Sequence, residues 1–357
     1  MIRVNGKQKQ NGTRDKDNKG AALLCLGIES TAHTFGCSVV EMYQDSERKG
    51  KVLSDIRGIY KPPEGSGIHP REASRHHAEV CSSVLAQSLK EAGRRMDDID
   101  IIGYSAGPGL GPCLRVGAVV ARTVSGFYEK PLVPVNHALG HIELGTMLTG
   151  ASDPLVLLVS GGHTMILAFA QHRWRVFGET LDITIGQLLD QFGRAMGFAS
   201  PCGGRIENLA GQSDGRYTQL PYVVKGNDVS FSGLLTAAIR AASSGEKLVD
   251  VCYSLQETSF AMLAETVERA LSFTSKKEMM IVGGVAANKR LASMLDIACT
   301  RQDAKLYVCP IGFAGDNGAQ IAWTALLDYA ATKKQIDVEK SSVHQSWRLD
   351  VVDVGWR

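Results

Sequence analysis

The sequence predicts an α/β protein of two similar lobes facing each other across a cleft. Three observations carry this. Each half of the chain opens with three short apolar segments, Leu23–Ile28, Gly36–Glu41 and Val52–Ile59, then again Leu155–Ser160, Thr164–Phe169 and Arg173–Phe177. Each triplet gives way to alternating helical and strand-like patterns. Glycine-rich turns sit where strands end, at Gly107–Pro112, Gly161-Gly162 and Gly283-Gly284. A unit of strand, turn, strand, strand and then alternation, used twice, is a duplicated α/β layout.

Taken in order, the polar stretch 1–20 shows no periodicity and reads as a disordered tail, with order beginning near Ala21. After the first strand triplet, Arg71–Gly93 carries Ala78, Val80, Cys81, Val84, Leu85 and Leu89 at helical spacing. A strand at Ile101–Tyr104, the glycine loop, a helix Val116–Phe127, a strand Pro131–Val135 and a helix Ala138–Leu148 follow. The second half continues past its triplet with helices Ile185–Met196 and Gln256–Phe273 and a strand Met279–Val282. A helix from Asn288, a strand Lys305–Pro310 and a closing helix Gly318–Ala331 complete it. The expected division is a tail (1–20), a first lobe (21–152 plus 312–335), a second lobe (153–311) and a C-terminal tail (336–357). This is the layout of the actin-like superfold, which also holds hexokinase and the heat-shock ATPases. There, hairpin turns point into the cleft and meet phosphates with backbone amides.

Composition narrows the class. At 357 residues, 44% hydrophobic and 21% charged, the chain can bury two cores. It lacks an apolar run of about 18 residues and an apolar N-terminal leader, which predicts a soluble intracellular protein without membrane contact. None of the eight cysteines forms a CxxC pair, so buried thiols are expected rather than disulfides or a zinc cluster. Net charge is +2; residues 1–20 hold six basic and two acidic side chains, and taking that +4 from the total leaves −2 for the rest. A nucleic-acid binder with so neutral a body needs a local basic patch or partners that supply one.

The sharpest chemical feature is Asn136-His137-Ala-Leu-Gly-His141-Ile-Glu143. Histidines four apart on a helix share a face and can reach one ion, although two solvated or core histidines would read the same way. A zinc-peptidase reading needs HExxH, and position 138 is Ala, so the general base is missing. Asp316, just before the closing helix, is available as a third ligand; the Asp316-Asn317 turn is equally a helix cap. His76-His77, neighbours on a helix that point in different directions, cannot easily chelate one ion and read as structural or surface residues. Val159-Ser160-Gly161-Gly162-His163-Thr164 reads as a phosphate-facing hairpin or a plain tight turn. Gly283-Gly284 with Asn288 marks a strand end opening into a helix, where ligands dock. Glu29-Ser30-Thr31 is the matching turn of the first lobe, and Asp190 and Glu207 are carboxylates suited to sugar hydroxyls or simply solvated.

Together these segments closely resemble the universal tRNA threonylcarbamoyladenosine synthase family, formerly described as an O-sialoglycoprotein endopeptidase. The matching stretches, in family order, begin with Gly27-Ile-Glu-Ser-Thr-Ala-His-Thr34 and Gly107-Pro-Gly-Leu-Gly-Pro-Cys-Leu-Arg-Val-Gly117. They continue with the His137/His141 motif, Val159-Ser-Gly-Gly-His-Thr164, Gly283-Gly-Val-Ala-Ala-Asn288 and Gly315-Asp-Asn-Gly318. His69-Pro-Arg-Glu-Ala-Ser-Arg-His-His77 and Phe231-Ser-Gly-Leu-Leu-Thr236 look like its archaeal and eukaryotic branch. Two positions look more bacterial: Leu158, where that branch usually carries a Tyr able to reach the metal, and His163, where it carries Asn. A fourth protein ligand is thereby left open.

The resemblance implies a catalytic metal centre of His137, His141 and Asp316 holding one divalent ion, Fe or Zn. It implies substrate binding by Leu158, Val159, Ser160, Gly161, Gly162, Asp190, Gly203, Glu207 and Asn288. It implies transfer of a threonylcarbamoyl group from threonylcarbamoyl-AMP to the adenosine 3′ of the anticodon in tRNAs reading ANN codons. The implied setting is a KEOPS complex with a small kinase-like ATPase and a dimerising subunit, in the cytoplasm and also the nucleus. No residue presents itself as a general base. The rival readings are an ATPase or kinase of the same superfold and a non-catalytic scaffold; Mg²⁺-dependent phosphoryl transfer favours carboxylates and water over a histidine pair.

Overall fold

In a computed structural model of the protein, residues 22–43, 49–63 and 65–357 are described. The expected tail 1–20 lies outside them. The first sheet is built from β1 (Leu23–Glu29), β2 (Thr34–Met42), β3 (Gly50–Val52) and β4 (Ile56–Ile59). After α1 (Pro70–Glu91) it gains β5 (Ile101–Gly107) and, past α2 (Gly111–Tyr128), β6 (Leu132–Asn136), which leads directly into α3 (His137–Thr149). Its order is β3-β2-β1-β5-β6, with β4 also on β2.

The second sheet repeats this scheme with β7 (Leu155–Val159), β8 (Thr164–Ala170) and β9 (Arg173–Glu179). Next come α4 (Ile185–Ala195), α5 (Gly203–Ala210), a ribbon of β10 (Val224–Lys225) and β11 (Asp228–Val229), α6 (Ser232–Ser243) and α7 (Leu248–Thr274). Then β12 (Glu278–Val282), α8 (Lys289–Arg301) and β13 (Lys305–Val308) complete the sheet, and α9 (Ile311–Ala314) and α10 (Gly318–Thr332) follow. Its order is β13-β12-β7-β8-β9. In both sheets an antiparallel hairpin opens the unit, one further strand pairs in parallel with the first, and another pairs in parallel with that one. Two sheets of one topology are the duplication expected from the sequence.

The boundaries differ in instructive places. The single strand expected over Val52–Ile59 is two, because Leu53 N and Ser54 N both donate to Val39 O, two residues opposing one as in a bulge. The helix expected from Val116 starts at Gly111, since Pro112 is tolerated in a first turn. The helix expected from Gln256 starts at Leu248. Ser254, Thr258 and Ser259 obscure its apolar pattern but satisfy their hydroxyls on carbonyls one turn back, at 2.7, 2.7 and 2.8 Å. Helices α5 and α6 were not anticipated.

Two features position the site. Helix α10 returns from the second sheet to lie on β1: a Cβ on Gly27 would come within 2.2 Å of Gly318 O, so only glycine allows this approach. In the second sheet Gly283 has φ 96°, and a Cβ there would meet Val159 O at 2.3 Å, bringing the β7 and β12 turns side by side. The stretch 336–357, expected only as a tail, packs Ile336, Val338, Val343 and Trp347 on the first sheet's core and Leu349, Val352, Val354 and Trp356 on the second's. Seven of the eight cysteines are buried and all are free thiols, as expected. No helix among the described residues is long and apolar enough to cross a membrane.

Candidate metal centre and its relatives

Asn136 caps α3, its Oδ1 accepting from Leu139 N–H at 3.2 Å, so the helix starts on His137. His137 and His141 then share a face, their ring centroids 4.8 Å apart and nearly perpendicular. From the turn before α10, Asp316 places Oδ1 3.6 Å from His137 Nε2 and 3.4 Å from His141 Nε2. The two histidines are buried and the Asp316 side chain is 15% exposed. Asn317, not Asp316, caps α10, accepting from Gln320 N–H at 2.9 Å, which leaves the Asp316 carboxylate to the histidines.

The donor set fits one divalent ion. The three ligand atoms lie within 4.8 Å of one another. Ligands about 2.0–2.2 Å from a shared tetrahedral ion sit about 3.4 Å apart. His141 Nε2 is buried and has no hydrogen-bond partner, because the approach of Asp316 is poorly aimed. An orphaned buried nitrogen is costly unless something takes its lone pair. Two imidazoles and one carboxylate leave coordination positions open, as catalytic sites do.

Behind His137 stands Glu29, fully buried at the end of β1, with Oε2 2.9 Å from Nδ1. The carboxylate holds Nδ1 as the N–H donor and turns Nε2 towards Asp316. Glu29 Oε1 takes Thr31 N–H at 2.6 Å and the Thr31 hydroxyl at 2.5 Å, while Ser30 N–H donates to Ser105 Oγ at 2.9 Å. Two amides of the first hairpin are therefore engaged within the protein, by Glu29 and by Ser105 of β5, and its carboxylate orients a histidine; the expectation of a phosphate turn at Glu29-Ser30-Thr31 is corrected. Gln320 packs against the same ring nitrogen, its Nε2 3.1 Å away and its Oε1 accepting from Asn317 Nδ2 at 3.3 Å. As neighbours of His137, Glu29 and Gln320 escaped the sequence reading because each lies more than 100 positions from it along the chain.

The charges set the protonation. Burial alone would depress His137, but the Glu29 and Asp316 carboxylates outweigh it and raise it to about 9. Burial and the positive charge of His137 depress His141. Burial opposes ionisation of Asp316, yet His137 and His141 hold it well below the usual carboxylate range. The raised His137 stabilises the metal-free fold fully below about 6.5, and that contribution is lost as pH rises towards about 9. A ligand nitrogen must be deprotonated, so metal affinity rises through the same window. Metal binding at pH 7 is expected to release about one proton, read by calorimetry in buffers of differing ionisation enthalpy; no release would refute the assignment.

The second hairpin reaches this centre. His163 stacks on His137 with centroids 6.4 Å apart, and burial followed by the neighbouring imidazoles depresses it to about 3. Ser160 Oγ accepts from Gly162 N–H at 3.1 Å and His163 N–H at 3.0 Å, so of the glycine pair expected to face an anion the Gly162 amide is already engaged. Leu158 and Val159 are fully buried on opposite sides of the second sheet, with neither residue exposed to a ligand. Asp190 accepts from Cys202 N–H at 2.7 Å, one residue before Gly203, and Glu207 from Lys289 N–H at 2.9 Å; each is pinned through one carboxylate oxygen. Asn288 caps α8 through Oδ1 and donates to Gln256 at 3.0 Å, so both ends of the side chain expected to read a base or ribose are committed to structure. His77 is buried against Ala32 O at 3.1 Å, the structural role expected of it.

The family model described as "TsaD: tRNA N6-adenosine threonylcarbamoyltransferase" matches residues 51–323. The chain is 48% identical to the tRNA N6-adenosine threonylcarbamoyltransferase of Caldivirga maquilingensis over 94% of its own length and 98% of the relative's. It is 49% identical to the protein of the same name from Hyperthermus butylicus, over 94% and 92%. A "Probable bifunctional tRNA threonylcarbamoyladenosine biosynthesis protein" of Methanothermobacter thermautotrophicus is 48% identical, but the chain covers only 61% of it. Among solved structures, T. kodakarensis HypF superposes with a TM-score of 0.56 at 13% identity, covering 87% of this chain and 48% of that one. An activator of 2-hydroxyisocaproyl-CoA dehydratase from Clostridium difficile gives 0.51 at 11%, over 88% and 100%. These distant likenesses speak to the fold alone, which is actin-like. The close relatives and the family match say more: the chain belongs to the tRNA N6-adenosine threonylcarbamoyltransferase family and is an enzyme of that class.

Proposed function

We propose that this protein transfers the threonylcarbamoyl group of threonylcarbamoyl-AMP to the N6 amine of the adenosine 3′ of the anticodon, in tRNAs reading ANN codons. The observation that carries the reading is the buried His137–His141–Asp316 cluster beside the second hairpin. The amine nitrogen forms a bond to the carbamoyl carbon, the bond from that carbon to the phosphate oxygen breaks, AMP departs and the amine loses a proton. An Fe²⁺ or Zn²⁺ ion in the cluster supplies Lewis-acid polarisation when bound. His137, His141 and Asp316 hold that ion, and Glu29 orients His137 from behind. Gly161 and Gly162, on an exposed turn where a Cβ on Gly161 would meet nothing within 4 Å, leave room for the adenylate phosphate to approach the backbone. Ser160, Asp190, Gly203 and Glu207 bound the same cleft as adenylate contacts.

We place the enzyme in a KEOPS-type complex with a small kinase-like ATPase and a dimerising subunit, in the cytoplasm and nucleus. The near-neutral body supports shared tRNA binding. The longer, bifunctional archaeal relative supports a second activity working beside this one. The test is nucleoside mass spectrometry on tRNA incubated with threonylcarbamoyl-AMP, this protein and its assembled partners. Threonylcarbamoyladenosine is expected with the native protein, and at least about a thousandfold less with His137→Ala/His141→Ala. No product from a properly assembled complex would overturn the transferase reading in favour of an ATPase or a scaffold.

A further inference from the structure

Helix α3 is buried on every side from His137 to Gly145. It therefore has no solvent-facing polar stripe to fix its rotation over that stretch, and apolar packing tolerates small turns about the axis. A ligand atom about 6 Å from that axis moves about 2 Å for a 20° turn, while metal geometry tolerates about 0.2 Å. Something must hold the helix against rotation.

Two contacts from one segment do so. At the start of α3, Asn136 Nδ2 donates to Trp347 O at 3.1 Å. On the far side of the helix, Glu143 is buried and chelated by Arg357, with Nε to Oε1 at 3.0 Å and Nη2 to Oε2 at 3.3 Å. Arg357 Nη2 also donates to Thr146 Oγ1 at 3.0 Å. Glu143 lies two residues beyond His141, about 200° around the helix, and so points away from the metal centre. The guanidinium in turn sits 5.0 Å from the Trp174 ring and 5.6 Å from Phe169, which ties it to the second sheet. The segment is itself anchored on both sheets: His344 N–H donates to Ala106 O at 2.7 Å, and Val354 N–H to His172 O at 2.9 Å.

We propose that Glu143 of α3 and Arg357 of the strap 342–357 are a positioning pair that sets the rotation of α3 so that His137 and His141 meet Asp316. This accounts for Glu143, the acidic residue closing the histidine motif, which the transfer chemistry does not use. The inference rests on the metal reading above.

The test is Zn²⁺ affinity by chelator competition, with thermal unfolding of the metal-free protein alongside. Breaking one partner leaves a buried charge unpaired, so the informative variant is Glu143→Met/Arg357→Met, in which apolar side chains fill the space. Its Zn²⁺ affinity is expected to fall about tenfold to a hundredfold, the usual effect of losing an outer-shell support, with the unfolding midpoint within a few degrees of native. Arg357→Lys keeps the charge but loses the fork and should weaken binding severalfold; it decides the matter if the double variant does not fold. Arg348→Ala removes exposed strap pairs with Glu179 and Asp350 and should leave affinity within about twofold. Native affinity in the folded double variant, or an equal loss in Arg348→Ala, overturns the pair's role and leaves the metal centre standing. Zn²⁺ binding by the native protein that His141→Ala does not weaken overturns both.

Discussion

Asp316→Asn is expected to lower Zn²⁺ affinity by at least about a thousandfold and to abolish threonylcarbamoyladenosine formation with it. The substitution keeps the volume and removes the charge. Asp316 is the only one of the three ligands that is an anion, placed between two imidazole nitrogens at 3.6 and 3.4 Å. Its carboxylate is also one of the two that raise His137, so the variant lowers that histidine and reduces the proton released on binding. The fold should survive, because the cap of α10 belongs to Asn317 and the approach of the helix to β1 to Gly27 and Gly318. Zn²⁺ titration against a chelator and nucleoside mass spectrometry read the two effects. Affinity within tenfold of native would remove Asp316 from the ligand set.

Glu29 separates orientation from ligation. Glu29→Gln keeps the shape but can donate to His137 Nδ1 through its amide, which drives the ring proton to Nε2, where the metal needs a lone pair. We expect a folded protein with Zn²⁺ affinity down by about tenfold to a hundredfold and activity down at least as far. Glu29→Ala should in addition destabilise the fold by about 3–5 kcal/mol, since it strands the raised His137 in a buried site and leaves Thr31 N–H without its acceptor. Chemical denaturation of the metal-free protein distinguishes the two variants. Native Zn²⁺ affinity in Glu29→Gln would mean that Thr31, whose Oγ1 lies 3.3 Å from the same nitrogen and can accept from it, sets the ring instead.

The histidine pair was legible because helical spacing is local: residues four apart share a face wherever the helix lies. The second-lobe hairpin was legible as paired glycines between two apolar runs. Asn288 was legible only as a polar side chain at a strand-to-helix turn, where a cap and a ligand contact read alike, and the structure shows the cap. The helices α5 and α6 went unseen because short amphipathic segments among Gly, Pro and Ser carry too few periodic residues to stand out.

What the sequence determined by itself is whatever short-range chemistry encodes. That covers the duplicated order of strands and helices, the His137/His141 face, the buried thiols and the motifs that tie the chain to its family. Tertiary structure decided which distant groups meet those motifs. Asp316 reaches the histidines only because a glycine-to-glycine contact lets α10 return to β1. Glu29 serves His137 only because parallel pairing of β1, β5 and β6 sets their ends side by side. Arg357 finds Glu143 only because the strap crosses from one sheet to the other. The reason is physical: periodicity reports which face of an element is apolar, whereas pairing of buried charges depends on the packing of whole elements, and that is written in no single segment.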